Sequence, residues 1–285
     1  MTQQELKEAS LDTLKCIQQR YYQNKNISYP LEHNLLLSVQ NTKLYQDPSF
    51  IILNTQNRKY KPNYNVIDMT TIACAYNMVQ HSKLKNVCIL NFASAIKAGG
   101  GWLNGRIAQE EDIMRKTTLF PSIASQNDFY QAHNKNNPFY SNNIIYSPYI
   151  DIFKNDYLEY VSPETISVIT SPAINLTELK QGPLWNNLQV YNAVNNCNVI
   201  EIVMKERIKK ILEVAIDNGQ TNLVLGAFGC GVFGHNPIDV SEYFYYVLKQ
   251  LHYEEYFENI YFAVYDKTPQ KQTFNIFLNK FMKMP

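Results

Sequence analysis

Short apolar runs separated by amphipathic stretches organise most of the chain. Phe50–Leu53, Val87–Phe92, Ile166–Ile169, Leu223–Phe228 and Ile260–Val264 have the length of strands, and VCILNF, LVLGAF and IYFAVY are apolar nearly throughout. Continuous apolarity of this kind is expected of strands covered on both faces. Between the runs the pattern becomes amphipathic and predicts helices over Met69–Leu84, Ile107–Phe120, Ile200–Asn218, Val240–Leu251 and Gln270–Met282. Residues 1–23 predict a further helix, since Leu6, Leu11, Leu14, Ile17 and Tyr21 recur at spacings of three to five, while residues 24–47 read as irregular or briefly helical. This alternation implies a three-layer α/β/α domain around a largely parallel sheet. Ligands of such sheets bind outside the carboxyl ends of the strands. The glycine-rich segments fall there.

Composition narrows the chemistry. Over 285 residues, 26 basic groups nearly cancel 25 acidic ones, leaving +1. No global field is available to capture a nucleic-acid backbone, so a polyanionic partner must be gripped by a local pocket. With 21 Tyr and 14 Phe the chain is folded rather than disordered. Cys16, Cys74, Cys88, Cys197 and Cys230 are scattered, odd in number and lack CxxC spacing. That argues against a disulfide framework or a zinc site and for a reducing compartment. No secretory signal and no membrane-spanning run is visible, so the cytoplasm is the expected location and no membrane partner is expected. Neither a metal nor a cofactor is expected, and the oligomeric state is not encoded in any pattern. His33, His81, His133 and His252 join no constellation, and Lys205-Glu206-Arg207-Ile208-Lys209-Lys210 reads as the solvated face of a helix.

Two loops carry the candidate chemistry. In the first, VCILNF runs into Ala93-Ser94 and then Gly99-Gly100-Gly101, and the following helix opens on Gln109-Glu110-Glu111. Three consecutive glycines suit a backbone that passes very close to something flat or anionic, although a sharp strand-to-helix turn would also use them. Acids in a first helical turn ordinarily complement the dipole. Adjacent helical residues diverge by about 100°, so the two carboxylates cannot play one role symmetrically. If a glycosidic bond is broken here, one transfers the proton and the other holds a sugar hydroxyl.

The second loop is Gly226-Ala227-Phe228-Gly229-Cys230-Gly231-Val232-Phe233-Gly234-His235-Asn236-Pro237, between a strand and a helix. Its glycines suit a nest of backbone N–H groups around phosphates. No Gly-Lys-Ser/Thr is present, and the spacing departs from the dinucleotide fingerprint. Phe233, read as an exposed aromatic, is placed to pack on a ribose or base. Plugging the loop is its plainer role. Cys230 has no His or Asn partner placed by a motif, and its small size explains it better than nucleophilic chemistry. Tyr140–Tyr149, from its aromatic content, is expected to border the adenosine side of the cleft.

Gly99-Gly100-Gly101, then Gln109-Glu110-Glu111, then the Gly226–Gly234 loop resemble the bacterial-type poly(ADP-ribose) glycohydrolases of the macrodomain superfamily. The resemblance spans about residues 50–266, including Ser171-Pro172-Ala173. It implies a macrodomain with a mixed sheet over residues 49–285, preceded by an N-terminal helical extension over 1–48. It also implies metal-independent release of ADP-ribose from poly(ADP-ribose) by cleavage of the C1″–O bond. Glu111 matches the catalytic acid and Glu110 the residue that positions the ribose hydroxyls. The resemblance places Gly99, Gly100 and Gly101 near the diphosphate and distal ribose, with Gln109 beside them. Gly229, Cys230, Gly231, Val232 and Gly234 wrap the diphosphate, Phe233 lies on the distal ribose, and Asn91 or Ser94 contacts that ribose. Ala98 stands where proline is frequent and Ser94 where asparagine is common. The implied partner is ADP-ribose or an ADP-ribosylated macromolecule. Removal of mono-ADP-ribose from a protein side chain or nucleic acid, non-catalytic ADP-ribose binding, and an unrelated nucleotide enzyme remain as alternatives.

Overall fold

The computed structural model describes residues 1–48, 51–54, 59–133 and 137–282. The chain opens with α1 (Gln3–Gln19), a hairpin of β1 (Tyr21–Asn24) and β2 (Ile27–Pro30), α2 (Glu32–Asn41) and β3 (Lys43–Tyr45). It continues through β4 (Asn63–Ile67), α3 (Thr71–Gln80), β5 (Val87–Phe92), a short helical turn at Trp102–Asn104, and α4 (Gln109–Lys116). Then come α5 (Leu119–Ala124), α6 (Asn127–Gln131), β6 (Ile144–Lys154) and β7 (Tyr160–Ser171). The last part holds α7 (Leu176–Gln181), α8 (Leu184–Asn195), α9 (Val199–Asp217), β8 (Asn222–Leu225), α10 (Pro237–Tyr245), β9 (Asn259–Ala263) and α11 (Gln272–Met282).

Seven strands form one sheet in the order β3-β6-β7-β5-β8-β9-β4. β7, β5, β8, β9 and β4 run parallel, and β6 is antiparallel to both its neighbours. The fold is a mixed, largely parallel α/β/α sandwich. β5 shows why its run is apolar throughout: Cys88 and Leu90 enter a core with α9 and α10, while Val87 and Ile89 enter a second core with α3 and α4. Successive side chains of a strand face opposite sides, so both faces are dry. Among the described residues no helix is long and apolar enough to cross a membrane.

Several expectations need correction. Ile51–Leu53 has no regular structure, and Phe50 lies outside the described residues; the strand that follows is β4, at one edge of the sheet, hidden by its polar alternation. Residues 24–47 hold the end of β1, then β2, α2 and β3, and β3 is a strand of the main sheet. The helix expected over 1–23 stops at Gln19, where Arg20 turns to φ +65°. The one expected over Ile107–Phe120 divides, because Thr117 bridges to Ile152 of β6. β6 escaped prediction because Pro148 interrupts it. The ladder is irregular between Ser147 and Ile150, which is where a sheet tolerates proline. Residues Ile144–Tyr149 of the Tyr140–Tyr149 segment thus belong to β6. The 205–210 stretch of α9 is not a solvated face: Arg207 is wholly buried and donates to the carbonyls of Phe139 and Pro172 and to Asn142.

Candidate active site

β5 and β8 are adjacent and parallel, with Val87 opposite Asn222 and Ile89 opposite Val224. Both glycine loops therefore leave neighbouring strand ends. Phe92, the last residue of β5, joins them: its ring lies 5.6 Å from that of Phe228.

The first loop wraps the amino end of α4. Gln109 binds this end to β5, its Oε1 accepting the Phe92 N–H at 2.8 Å and its Nε2 donating to the Leu90 carbonyl at 2.7 Å. Its amide is spent on this bracing. Glu110 Oε2 accepts the Ser94 N–H at 2.8 Å, and Asn91 Nδ2 lies 3.5 Å from its other oxygen. Glu111 Oε1 accepts the Gly101 N–H at 2.9 Å. A side chain at Gly100 is strained here and must displace the acids, since φ is +58° and a Cβ would lie 2.6 Å from Glu111 Oε1 and 3.0 Å from Glu110 Oε2. The two carboxylates, divergent on the helix, thus meet one bend.

Both acids are buried, Glu110 at 3% and Glu111 at 7% exposure. Burial pushes the Glu110 carboxyl up to about 8; the Ser94 amide opposes this and the Glu111 charge adds to it. Asn91 is wholly buried behind Glu110 and also reaches Thr170 Oγ1 at 3.2 Å. Ser94 is half-buried, and its hydroxyl accepts from Ile96 N–H at 3.4 Å.

The second loop is held from below by α7. Thr177 Oγ1 donates to the Val232 carbonyl at 2.9 Å, and its N–H donates to the Phe233 carbonyl at 3.2 Å. Gly234 sits at φ +73°, where a Cβ would lie 2.7 Å from Thr177 Oγ1. Gly229 turns at φ +78° beside His235, whose Nε2 bonds the Ile174 carbonyl at 2.8 Å. Burial keeps that imidazole neutral by lowering its pKa to about 4. Among the described residues, the N–H groups of Gly231, Val232 and Phe233 donate to no protein acceptor. Gly231 and Val232 are exposed. Phe233 is half-buried rather than exposed, its ring 6.2 Å from Tyr140. Burial pushes the Cys230 thiol up to about 12, which removes it as a nucleophile at neutral pH.

A cavity of about 580 Å³ adjoins this loop, with Phe92, Gln109, Ala227, Gly231 and Tyr265 in its wall. Sequence reasoning did not single out Phe92 and Tyr265 as site residues. Their position at strand carboxyl ends was the available signal. Among the described residues no group of three His, Cys, Asp or Glu side chains could hold a metal ion.

The family described as microbial-type PARG, catalytic domain, matches residues 10–155. No curated protein matches the chain. Among solved structures it is similar to poly(ADP-ribose) glycohydrolase from Thermomonospora curvata, at 28% identity and TM-score 0.84, covering 98% of this chain and 100% of that one. The same protein bound to the inhibitor ADP-HPD matches at TM-score 0.82. The enzyme from Deinococcus radiodurans in complex with ADP-ribose matches at 30% identity and TM-score 0.76, covering 88% of this chain and 98% of that one.

Proposed function

Because the chain belongs to the microbial-type poly(ADP-ribose) glycohydrolase family, we propose that it hydrolyses the C1″–O bond between ADP-ribose units and releases ADP-ribose, with Glu111 as acid and base. The observation that supports these roles most directly is the convergence of Glu110 and Glu111 on the Gly99–Gly101 bend, next to a loop with unengaged amides.

The diphosphate takes the amides of Gly231–Phe233, which supply donors without a cationic side chain. The adenosine extends into the cavity, where Phe92 and Tyr265 offer aromatic faces. The distal ribose lies between Phe233 and the glycine bend, with C1″ toward Glu111. Gly101 N–H occupies Oε1 of Glu111, which leaves Oε2 to deliver the proton. It passes to the departing oxygen as the C1″–O bond breaks. The carboxylate left behind and the diphosphate stabilise the positive charge that develops at C1″. A water then adds to C1″ and returns a proton to Glu111. Glu110, kept largely protonated at neutral pH by burial, holds a ribose hydroxyl. Asn91 supports Glu110 from behind.

The test is hydrolysis of poly(ADP-ribose), mono-ADP-ribosylated protein and ADP-ribosylated nucleic acid by wild type and Glu111→Gln. Wild type releases ADP-ribose from the polymer. Glu111→Gln binds ADP-ribose with unchanged Kd and turns over slower by a factor on the order of 10²–10⁴. Near-full turnover in the variant would remove Glu111 from the reaction. Binding without hydrolysis by wild type would make the protein a reader of ADP-ribose.

A further inference from the structure

The amino-terminal helix touches the catalytic apparatus through buried hydroxyls. Ser10 and Thr13 of α1 are both 0% exposed and, three residues apart, lie on one helix face. Ser10 Oγ is 2.7 Å from the carbonyl oxygen of Trp102, the residue after Gly101, and shares its one O–H with the Leu6 carbonyl of its own helix at 2.8 Å. Thr13 Oγ1 donates to the carbonyl of Arg115 at 2.6 Å, one helical turn beyond Glu111. The Gly101–Glu111 hydrogen bond therefore lies between the two points that α1 grips. Gln3 Nε2 adds a bond to the Asn104 carbonyl at 2.9 Å, and Gly105 is so close to the Gln3 carbonyl that a Cβ would collide with it.

The grip on α4 is electrostatically reinforced. Lys154 Nζ of β6 donates to Thr13 Oγ1 at 2.8 Å and to Asp12 at 2.7 Å. An ammonium behind the hydroxyl polarises its O–H toward the carboxyl end of α4, where backbone carbonyls lack helical partners and the dipole is negative. α4 has only eight residues and no side-chain cap at its amino end. Its position is set by contacts with its neighbours, among them Lys116 Nζ on Asp156 at 2.7 Å and Arg115 Nη2 on the Arg106 carbonyl at 3.0 Å. Gln109 holds its head and Thr13 its tail.

We propose that α1 is a clamp that sets the distance between Glu111 and the glycine bend, with Ser10 and Thr13 as positioning residues for the reaction. The proposal rests on the reading of Glu111 as the acid. It makes the first helix part of the catalytic apparatus without contact with substrate.

The experiment compares wild type, Ser10→Ala/Thr13→Val, Thr13→Ser and Leu35→Ala as full chains. Leu35 is buried in the same amino-terminal cluster but belongs to α2 and makes neither clamp contact. Steady-state hydrolysis of poly(ADP-ribose) is read alongside amide hydrogen exchange at Gly101. The double variant should lose about ten- to a hundredfold in kcat, because a small misplacement of the acid costs that much. KM should stay within about twofold. Gly101 exchange should quicken, Thr13→Ser should behave as wild type, and Leu35→Ala should lower Tm while leaving kcat per folded molecule and Gly101 exchange unchanged. Wild-type exchange at Gly101 in the double variant, or a Leu35→Ala protein with the same kcat loss, overturns the clamp. If the double variant does not fold, Thr13→Val alone decides. If wild type hydrolyses nothing, the reading of the reaction fails, and Gly101 exchange still settles the clamp.

Discussion

The two glycine loops leave neighbouring strands and use their amides in opposite ways. In the first, the N–H groups of Ser94 and Gly101 are taken by Glu110 and Glu111, so the loop closes on carboxylates the protein itself provides. In the second, the amides of Gly231, Val232 and Phe233 reach no acceptor among the described residues, and Thr177 anchors the carbonyls of Val232 and Phe233. A backbone nest attracts an anion wherever its donors converge. On the proposed reading, the first loop spends that capacity to hold the acids still and the second keeps it for a ligand. Pre-organisation and binding are thus separated between two loops that look alike in composition.

Substitutions can break this division. Gly100→Ala should have the largest effect. It forces an L residue to φ +58° and drives a methyl into both carboxylates. A kcat loss of about a hundredfold or more is expected, with a stability cost of ~1–3 kcal/mol and a smaller change in ADP-ribose affinity. Kinetics, urea melts and calorimetry separate the three. Equal losses in kcat and affinity would mean that the first loop also binds.

Gly234→Ala acts on the other loop, pushing against Thr177 at φ +73°. Here Kd for ADP-ribose and KM should rise about tenfold, the worth of one good charge-assisted bond, with kcat little changed. Gly231→Ala sharpens the contrast, since its Cβ would meet nothing within 4 Å. Its Tm should match wild type, so any affinity it loses reports ligand contact alone.

A separate effect is on pH dependence. Glu110 is raised from 4.5 to about 8 by burial, so the folded state holds a proton that the unfolded state releases between those values. Stability therefore falls as pH rises from about 4.5 to 8 and levels off above. Glu110→Gln should flatten this decline in Tm, measured from pH 5 to 9. An unchanged slope would show that Glu110 is not the group responsible.

Much of this site was legible before any coordinates. The triple glycine, Gln109-Glu110-Glu111 and the Gly226–Gly234 segment each carry a local signal, because strand ends, helix starts and left-handed turns restrict residue type within a few positions. Other features were misread for a common reason. Lys205–Lys210 has the composition of a wet helix face, yet Arg207 is buried because three acceptors from two distant loops surround its guanidinium. β6 went unread, and its Pro148 is accommodated by the irregular stretch of the β6–β7 ladder.

Local pattern therefore decided where β5, β8, β9 and most of the long helices lie, and where the backbone must bend sharply. Assembly alone decided that two carboxylates pointing apart on α4 meet one bend, that among the described residues no acceptor takes the amides of Gly231–Phe233, and that α1 reaches the first loop at Trp102 and the last turn of α4 at Arg115. Ser10 and Trp102 are 92 residues apart, and Thr13 and Arg115 are 102 apart. A hydroxyl in an amphipathic helix carries no sign of which distant carbonyl it will satisfy, because that partner exists only once the layers have packed.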